Sequence, residues 1–306
     1  MTAVSITVPA TTANLGPGFD CIGAALTLYN RFEFALLPPG AALEIEVTGQ
    51  EADRVQRDDS NLAYQSFVKL YSHLEQMPPP VRIAIDLQVP LARGLGSSAT
   101  AIVGGLLAAN ALAGNPLSSE AVMKLAIAIE GHPDNVVPAL MGGCQLAATA
   151  APDWAICPIA WHSDLVPIVA SPDFELSTAE ARRVLPASYS RADAIFNIAH
   201  LGLLLRGLET GRRDWLRAAL QDRIHQPYRQ SLIRGYNAVE TAASAAGACG
   251  LVISGAGPTL LALATIDRAD AVAAAMTQAW QAEGVNPQVQ RLAIDPQGAR
   301  VSTMPQ

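Results

Sequence analysis

A run of small and hydroxyl-bearing residues near position 95 has the composition of a phosphate-binding turn. It reads Pro90-Leu91-Ala92-Arg93-Gly94-Leu95-Gly96-Ser97-Ser98-Ala99-Thr100, between a strand candidate and an apolar helical stretch. Glycines let the backbone approach a ligand closely, and the N–H groups and dipole of a helix N-terminus attract phosphate. No Lys follows the glycines, so this is not a Walker A loop. Alone, the run is compatible with phosphate binding or with a serine-capped strand-to-helix turn.

Two other glycine-rich segments carry polar side chains. The first is Pro9-Ala10-Thr11-Thr12-Ala13-Asn14-Leu15-Gly16-Pro17-Gly18-Phe19-Asp20, expected to be a loop after the first strand, and the other is Ser254-Gly255-Ala256-Gly257-Pro258. In the first, Asn14 and Asp20 offer an amide and a carboxylate to an ammonium or hydroxyl group, or they bond their own turn. The second is typical of a hairpin between strands, or of a loop facing a phosphate site across a cleft.

The elements that must position these segments follow from periodicity and turn residues. Strand-like runs, of which the second and third alternate polar and apolar residues, predict strands at Val4–Val8, Arg31–Leu36, Leu43–Val47, Val81–Leu87, Trp154–Ile159, Leu165–Ala170, Gly250–Ser254, Thr259–Thr265 and Gln288–Leu292. Helices are predicted at Asn61–Leu74 with a Ser60 cap, Ser97–Leu112, Ser118–Glu130, Pro133–Met141, within residues 178–211 and 228–246, and at Arg268–Glu283. The tail after Pro296 is expected to be loosely ordered.

Taken in order, the three segments resemble the motifs of the GHMP kinases, the family that includes galactokinase, homoserine kinase and mevalonate kinase. The resemblance extends over nearly the whole chain. The first segment, continuing to Gly23 and Leu26, and Glu130-Gly131-His132-Pro133-Asp134-Asn135-Val136 are similar to the homoserine kinases of the family. The resemblance implies an α+β fold of two domains, S5-like over residues 1–155 and ferredoxin-like over residues 156–306, with the active site in the cleft between them.

The activity implied by the resemblance is transfer of the γ-phosphate of ATP to the hydroxyl of L-homoserine, a step of threonine biosynthesis. ATP would lie along the whole run Pro90–Thr100, with adenine at Asn61 and Leu62. Mg²⁺ would be held by Ser98 and Glu130. The resemblance is compatible with a homodimer.

The resemblance also implies a binding site for the acceptor substrate. Its members would be Asn14, Asp20, His132, Asn135, Thr178, Arg182 and Arg229. Asn14 and Asp20 would bind the amino and hydroxyl ends, and Arg229 would complete the carboxylate site. Choosing Arg182 over its neighbour Arg183 rests on its spacing from Thr178 alone, and Arg93 has no assigned role.

The general base is an open question. Mevalonate kinases have an Asp where this chain has Asn135, and an amide does not accept a proton at neutral pH. Asp134 is expected to point elsewhere if Asn135 faces the pocket. Our hypothesis assigns catalysis to Asn14, Asp20 and Asn135 through positioning, with no dedicated strong base and with transition-state stabilisation supplying most of the rate.

Composition limits the alternatives. The 306 residues are 50% hydrophobic and 15% charged, with a net charge of −7. This balance argues against a nucleic-acid or polybasic membrane surface. Four cysteines without a C-x-x-C pair, and no signal-peptide pattern, favour the cytoplasm over secretion or structural zinc. Two alternatives remain: a kinase for another small alcohol such as shikimate or mevalonate, and a non-catalytic ATP sensor.

Overall fold

The computed structural model describes residues 3–151 and 153–303. Within them, besides two short 3-10 helices, the chain forms eleven strands and ten α-helices. In chain order these are β1 (Ala3–Ala13), β2 (Ile22–Leu36), β3 (Glu44–Gly49), α1 (Leu62–His73), β4 (Val81–Leu87), α2 (Ser97–Leu112), α3 (Ser119–Glu130), α4 (Pro133–Met141), β5 (Cys144–Ala150), β6 (Asp153–Ile159), β7 (Leu165–Ser171), α5 (Thr178–Arg183), α6 (Arg191–Thr210), α7 (Arg213–Ala219), α8 (Gln226–Arg229), α9 (Tyr236–Ala246), β8 (Gly250–Ile253), β9 (Leu260–Thr265), α10 (Ala269–Ala282), β10 (Gln288–Arg291) and β11 (Arg300–Thr303).

The first sheet has seven strands, in the order β11-β1-β2-β4-β3, with β5 joined to β2 and β6 joined to β5. Only the β3–β4 pair is parallel among the strands described. Helices α1 to α4 pack over this sheet and form a core around Phe32, Phe34, Phe67 and Leu106, all fully buried. The sheet therefore needs its helices to cover one apolar face, as in α+β domains.

The second sheet is antiparallel and has the order β10-β7-β9-β8. Helices α9 and α10 cover one of its faces, and Trp280 is fully buried there beside Met276 and Val239. A separate cluster includes Leu15, Leu95, Leu220 and Val252, and it lies between the two sheets. The apolar cluster between the sheets brings the glycine-rich segments of both halves together. No helix among the described residues is long and apolar enough to cross a membrane.

The predicted α+β fold is confirmed, since both halves combine helices with mainly antiparallel sheets. Strand β6 crosses the predicted domain boundary at residue 155 and pairs with β5 of the first sheet. The division into residues 1–155 and 156–306 stays a prediction.

Three local predictions were wrong. The expected loop from Pro9 continues as strand to Ala13, since a bulge after Pro9 restores pairing with β2. The cap of α1 is Asn61, whose side chain accepts from the Ala63 and Tyr64 N–H groups, while Ser60 bonds Asp58 instead. The tail is ordered as far as Thr303, because Arg300–Thr303 pairs with the edge of β1. Residues 304–306 of that tail lie outside the described residues.

Candidate active site

A cavity of about 510 Å³ lies between the two halves of the chain, within the size range of small-molecule sites. Most of the residues predicted from sequence line it. These are Asn14, Asp20, Asn61, Leu62, Leu91, Ala92, Arg93, Gly94, Gly96, Ser97, Ser98, Thr100, Glu130, His132, Asn135, Thr178, Arg182 and Arg229. Pro90, Leu95 and Ala99 are buried outside its wall and support the loop from behind.

The residue before α2 leaves the start of that helix open to the cavity. Gly96 is the N-cap with a left-handed φ of 68°, and it has no side chain to occupy the first N–H groups. Ser97 and Ser98 follow at the cavity wall. A sixteen-residue helix whose first N–H groups are uncapped attracts anions through both hydrogen bonding and its dipole. This end of the cavity suits a phosphate chain.

The third glycine-rich segment braces the other two. Ser254 Oγ donates to the Gly94 carbonyl at 2.6 Å and lies 2.9 Å from Thr12 Oγ1, whose hydroxyl can donate to it. The Gly255 N–H donates to the Ala13 carbonyl. A Cβ at Gly94, where φ is +79°, would lie 2.2 Å from the Ser254 carbonyl oxygen. Only glycine permits this approach.

Asn61 lines the part of the cavity wall where adenine was predicted. Its Oδ1 accepts from the Ala63 and Tyr64 N–H groups at 3.0 and 3.2 Å, and its Nδ2 donates to the Gln56 carbonyl at 2.8 Å. The side-chain amide is therefore occupied by the start of α1 and by the preceding loop. Asn61 positions this wall, while Leu62 and the neighbouring Val55 supply apolar surface for a flat ring.

The two predicted metal ligands are in contact. Ser98 Oγ donates to Glu130 Oε1 at 3.0 Å. Burial raises the pKa of Glu130, although the charge of His132 and the hydrogen bond from Ser98 act in the opposite direction. A hydroxyl and a carboxylate oxygen are ligands that suit Mg²⁺, which keeps several waters and binds phosphate oxygens as well. The pair therefore fits a magnesium ion beside the open end of α2.

Asp134 is the main residue that sequence reasoning misplaced. Its carboxylate lines the cavity, 2.5 Å from His132 Nδ1 and 3.3 Å from Asn135 Nδ2. Burial lowers the pKa of His132, but the Asp134 hydrogen bond and the charges of Asp134, Glu130 and Asp20 outweigh it and raise that pKa overall. The His-x-Asp spacing at the start of α4 was the available signal, because it places both side chains at one helix end.

Oxygen and nitrogen atoms of Asp20, His132 and Asp134 lie within 4.8 Å of one another, and among the described residues this is the one such group able to hold a metal ion. Asp20 is already paired with Arg182, and Asp134 with His132. These counter-ions make the group a poorer cation site than Ser98 and Glu130, because Glu130 forms no salt bridge among the described residues. Burial, with Asp134 and Asp20 nearby, also raises the pKa of Cys21 to about 11, so its thiol is a weak nucleophile.

Asn14 and Asn135 are held by the protein itself. Asn14 Nδ2 donates to the Gly255 carbonyl at 2.8 Å, and its Oδ1 accepts from the Asp20 N–H at 2.9 Å. Asn135 Oδ1 accepts from Thr11 Oγ1 at 2.8 Å. Both amides line the cavity and are nearly buried, so they have a fixed orientation toward a ligand.

Asp20 and Arg182 face each other across the cleft. The Arg182 guanidinium donates to both carboxylate oxygens, at 3.0 and 2.8 Å. Phe19 lies between two cations, with its ring 5.6 Å from Arg182 and 5.1 Å from Arg229. Thr178 lies one helical turn from Arg182 on α5, at the same wall. Two guanidinium groups and one carboxylate thus converge on one end of the cavity.

Arg229 is 2% exposed, although a lone Arg at a helix start is usually a surface residue. Its Nε donates to the Ala181 carbonyl at 3.0 Å and its NH1 to the Gly255 carbonyl at 3.1 Å. NH1 also lies 3.3 Å from His225 Nδ1, while His225 Nε2 lies 2.9 Å from the Gly16 carbonyl. A neutral imidazole that donates from Nε2 and accepts at Nδ1 satisfies both contacts.

Arg93, to which the sequence assigned no role, bonds to residues from both halves of the chain. Its guanidinium donates to Glu51 Oε1 at 2.7 Å and to the Pro172 carbonyl at 3.1 Å. Arg54 binds Glu175 across the same gap. Arg93 therefore ties the phosphate end of the cavity to both halves of the chain, although it also lines the wall.

Comparisons with known proteins agree along nearly the whole chain. The model for the GHMP kinases N terminal domain matches residues 61–143, and that for GHMP kinases C terminal matches residues 204–282. The chain is 68% identical to homoserine kinase of Trichormus variabilis, with 98% of this chain and 99% of that protein covered. It is 68% identical to homoserine kinase of Microchaete diplosiphon, with 98% and 97% covered. The crystal structure of homoserine kinase from Cytophaga hutchinsonii has a TM-score of 0.89 at 29% identity, with 98% and 97% covered.

Proposed function

The chain belongs to the GHMP kinase family, and we propose that it transfers the γ-phosphate of ATP to the side-chain hydroxyl of L-homoserine. The product is O-phospho-L-homoserine, an intermediate of threonine biosynthesis. The observation that carries this function is the charge arrangement of the cavity. Arg182, Arg229 and Asp20 meet at one end, and the open start of α2 faces the same cavity. A zwitterionic amino acid matches the charged end, and a phosphate chain matches the helix start.

The phosphates of ATP bind along the loop from Leu91 to Thr100. The N–H groups after Gly96 and the hydroxyls of Ser97 and Ser98 are the donors. Fixed donors aimed at developing negative charge are the main device of phosphoryl transfer, which depends on positioning and electrostatics. Leu62 and the adjoining loop, held by Asn61, form the wall for adenine.

Mg²⁺ would be held by Ser98 and Glu130, whose oxygens are 3.0 Å apart. When bound there with phosphate oxygens, the ion would neutralise charge on the transferring phosphoryl group. Glu130 is the anionic ligand, so it must be deprotonated for this role. Its buried position and raised pKa make that requirement sensitive to pH.

The amino-acid acceptor is oriented by charge. Its carboxylate binds Arg229 and Arg182, and its ammonium binds Asp20. The ion pair between Asp20 and Arg182 is partly exposed and therefore weak. When the substrate binds, Asp20 pairs with its ammonium and Arg182 with its carboxylate, and little reorganisation is needed. Thr178 borders the carboxylate end, and Asn14 fixes the backbone of Asp20 through its own hydrogen bond.

The substrate hydroxyl lies toward His132, Asp134 and Asn135. Asn135 does not take up a proton, and Asp134 is engaged by His132. We therefore keep the hypothesis that no strong base is dedicated to the hydroxyl. Catalysis then rests on alignment of the hydroxyl with the phosphorus atom and on stabilisation of the transferring group.

We also propose a cytoplasmic homodimer. The four cysteines, Cys21, Cys144, Cys157 and Cys249, are free thiols, which suits a reducing compartment. Exposed isoleucines on α6 support self-association.

The substrate claim is tested by coupled ADP release with homoserine, shikimate, mevalonate and galactose as acceptors. Homoserine should be turned over with a kcat/KM at least about a hundredfold above the others, since only it matches both ends of the charged site. Turnover of another alcohol without homoserine would overturn the substrate and keep the fold. ATP binding without turnover of any acceptor would favour a sensor.

A further inference from the structure

The outer face of α6 carries large apolar side chains that no described part of the chain covers. Ile195 is 59% exposed and Ile198 is 72% exposed. The opposite face of the same helix is packed, with Asn197, Leu204 and Leu208 buried. Neighbouring exposed isoleucines on one helix face mark an interaction surface more strongly than a single exposed residue does.

The exposed positions follow a regular spacing. Arg191, Ile195, Ile198, Gly202, Leu205 and Glu209 are separated by alternating steps of four and three residues. We call these six residues the α6 seam. Such a spacing keeps one face of a helix against a partner helix along its whole length. Within the seam, Leu205 is half-buried and the other positions are exposed.

Gly202 lies in the middle of the seam without an internal reason to be glycine. A Cβ there would meet nothing within 4 Å. By contrast, a Cβ at Gly207 on the packed face would lie 2.9 Å from Leu216. Glycine inside a helix is less favourable than alanine. Close approach of another molecule to Gly202 would account for its presence.

The seam is complementary to itself when two copies run antiparallel about an axis near His200. That pairing places Ile198 opposite Gly202, Ile195 opposite Leu205, and Arg191 opposite Glu209. The large side chain then fills the space above the glycine, and both ends of the seam pair opposite charges. A parallel arrangement would instead place Arg191 against its own copy, which is repulsive.

We propose that the α6 seam is the homodimer interface, with the two α6 helices packed antiparallel. In a two-fold interface, when residue i of the first copy contacts residue j of the second, residue j of the first also contacts residue i of the second. The antiparallel register meets this condition. Six positions on each side form a contact below the standard size of specific interfaces, so we expect a weak dimer that dissociates on dilution.

The packed side of α6 connects this interface to the substrate site. Asn197 Nδ2 donates to the Pro17 carbonyl at 3.3 Å and to Asp222 Oδ1 at 2.6 Å. Pro17 belongs to the loop that carries Asp20, and Asp222 accepts from the His225 N–H. Dimerisation would therefore brace the helix that holds both substrate-facing loops.

The first experiment is sedimentation equilibrium of the full chain across a concentration series, with wild type and Ile198→Asp. The wild type should associate to a dimer, and Ile198→Asp should weaken that dimer by at least about tenfold, as for a central apolar contact. Ile266→Asp is the matched control, because Ile266 is 55% exposed and lies after β9. A wild-type monomer at every concentration, or an Ile198→Asp dimer of unchanged strength, would overturn the proposal.

The second experiment tests the antiparallel register. Arg191→Glu and Glu209→Arg should each weaken the dimer, and the double variant should regain most of the lost affinity, because it exchanges the charges at both ends. Circular dichroism of all three checks that α6 is intact. A double variant weaker than either single variant would contradict this register.

Discussion

Ser98 Oγ donates a hydrogen bond to Glu130 Oε1 at 3.0 Å, which joins the first turn of α2 to the last residue of α3. Helix α3 ends at Glu130 because Gly131 adopts a left-handed conformation, with φ of 90°. The hydroxyl and carboxylate thereby meet beside the open helix end.

The first prediction concerns this pair as a magnesium site. Glu130→Gln should lower kcat by about 10² to 10³ and raise the Mg²⁺ concentration needed for half-maximal rate, since the amide has no charge. Ser98→Ala should have a smaller effect of the same kind. Magnesium titrations at saturating ATP measure both. Glu120→Gln, on the exposed start of α3, is the control, and an equal loss there would contradict the assignment.

The raised pKa of Glu130 predicts that Glu130→Gln, which should lower kcat, stabilises the fold at neutral pH. A carboxyl whose folded pKa exceeds its unfolded pKa stabilises the fold only when protonated, and this contribution is lost as the pH rises through the folded value. Glu130→Gln should therefore raise Tm at pH 7, in the absence of Mg²⁺. The gain should shrink as the pH falls through the raised folded pKa and should vanish below the ordinary Glu pKa. A lower Tm for Glu130→Gln at pH 7 would contradict the burial argument.

Two adjacent arginines allow a matched test of the carboxylate site. Arg182→Ala should raise KM for homoserine by about 10- to 100-fold, because it removes one guanidinium from the anion site. KM for ATP should change little. Arg183→Ala changes the neighbouring residue on the same helix and should leave both constants near wild type. Equal effects of the two variants would show that overall charge, and not the position of Arg182, matters.

The absence of a dedicated base predicts moderate losses when any of the polar side chains near the acceptor is changed. Asp134→Ala, Asp20→Asn and Asn135→Ala should each reduce kcat by about 10- to 10³-fold, as positioning groups do. Pre-steady-state and binding measurements separate chemistry from affinity. A loss of about four orders of magnitude for one carboxylate, with substrate binding intact, would identify that residue as the base and contradict the hypothesis.

His225 is a positioning residue for Arg229, since it accepts from that guanidinium and contacts the Gly16 carbonyl with its other nitrogen. His225→Phe keeps a ring beside Phe19 but removes both contacts. It should raise KM for homoserine more than it lowers kcat. His225→Asn retains an acceptor near Arg229 and should recover part of the loss. If the two variants have equal KM, the contact with Arg229 does not position it.

Local sequence was sufficient for most strands and helices and for the residue types of the site. The strand predicted at Val81–Leu87 is β4, the apolar run after the glycine-rich turn is α2, and Pro133 begins α4 as predicted, because these signals act within a few residues. The resemblance predicted that Ser98 and Glu130 bind the same metal ion, and the structure brings the two side chains together although they are 32 residues apart.

The rest depends on contacts between distant parts of the chain. The edge strand β11 is exposed throughout and has no apolar alternation, so its pairing with β1 left no local signal. Arg229 looked like a surface residue because its partners, Ala181 and Gly255, come from other elements. Asp134 was expected to point away from the pocket, but its neighbour His132 lies outside α4 and turns back to meet it.

The most direct test of the function is the identity of the phosphorylated product. The purified chain, ATP labelled in the γ-phosphate and L-homoserine should give one labelled product per ADP, with the phosphate in ester linkage to the side-chain hydroxyl by ³¹P and ¹H NMR. Arg183→Ala should give the same product, and Glu130→Gln only traces of it. Label found as inorganic phosphate, or on the carboxylate of homoserine, would contradict the proposed transfer.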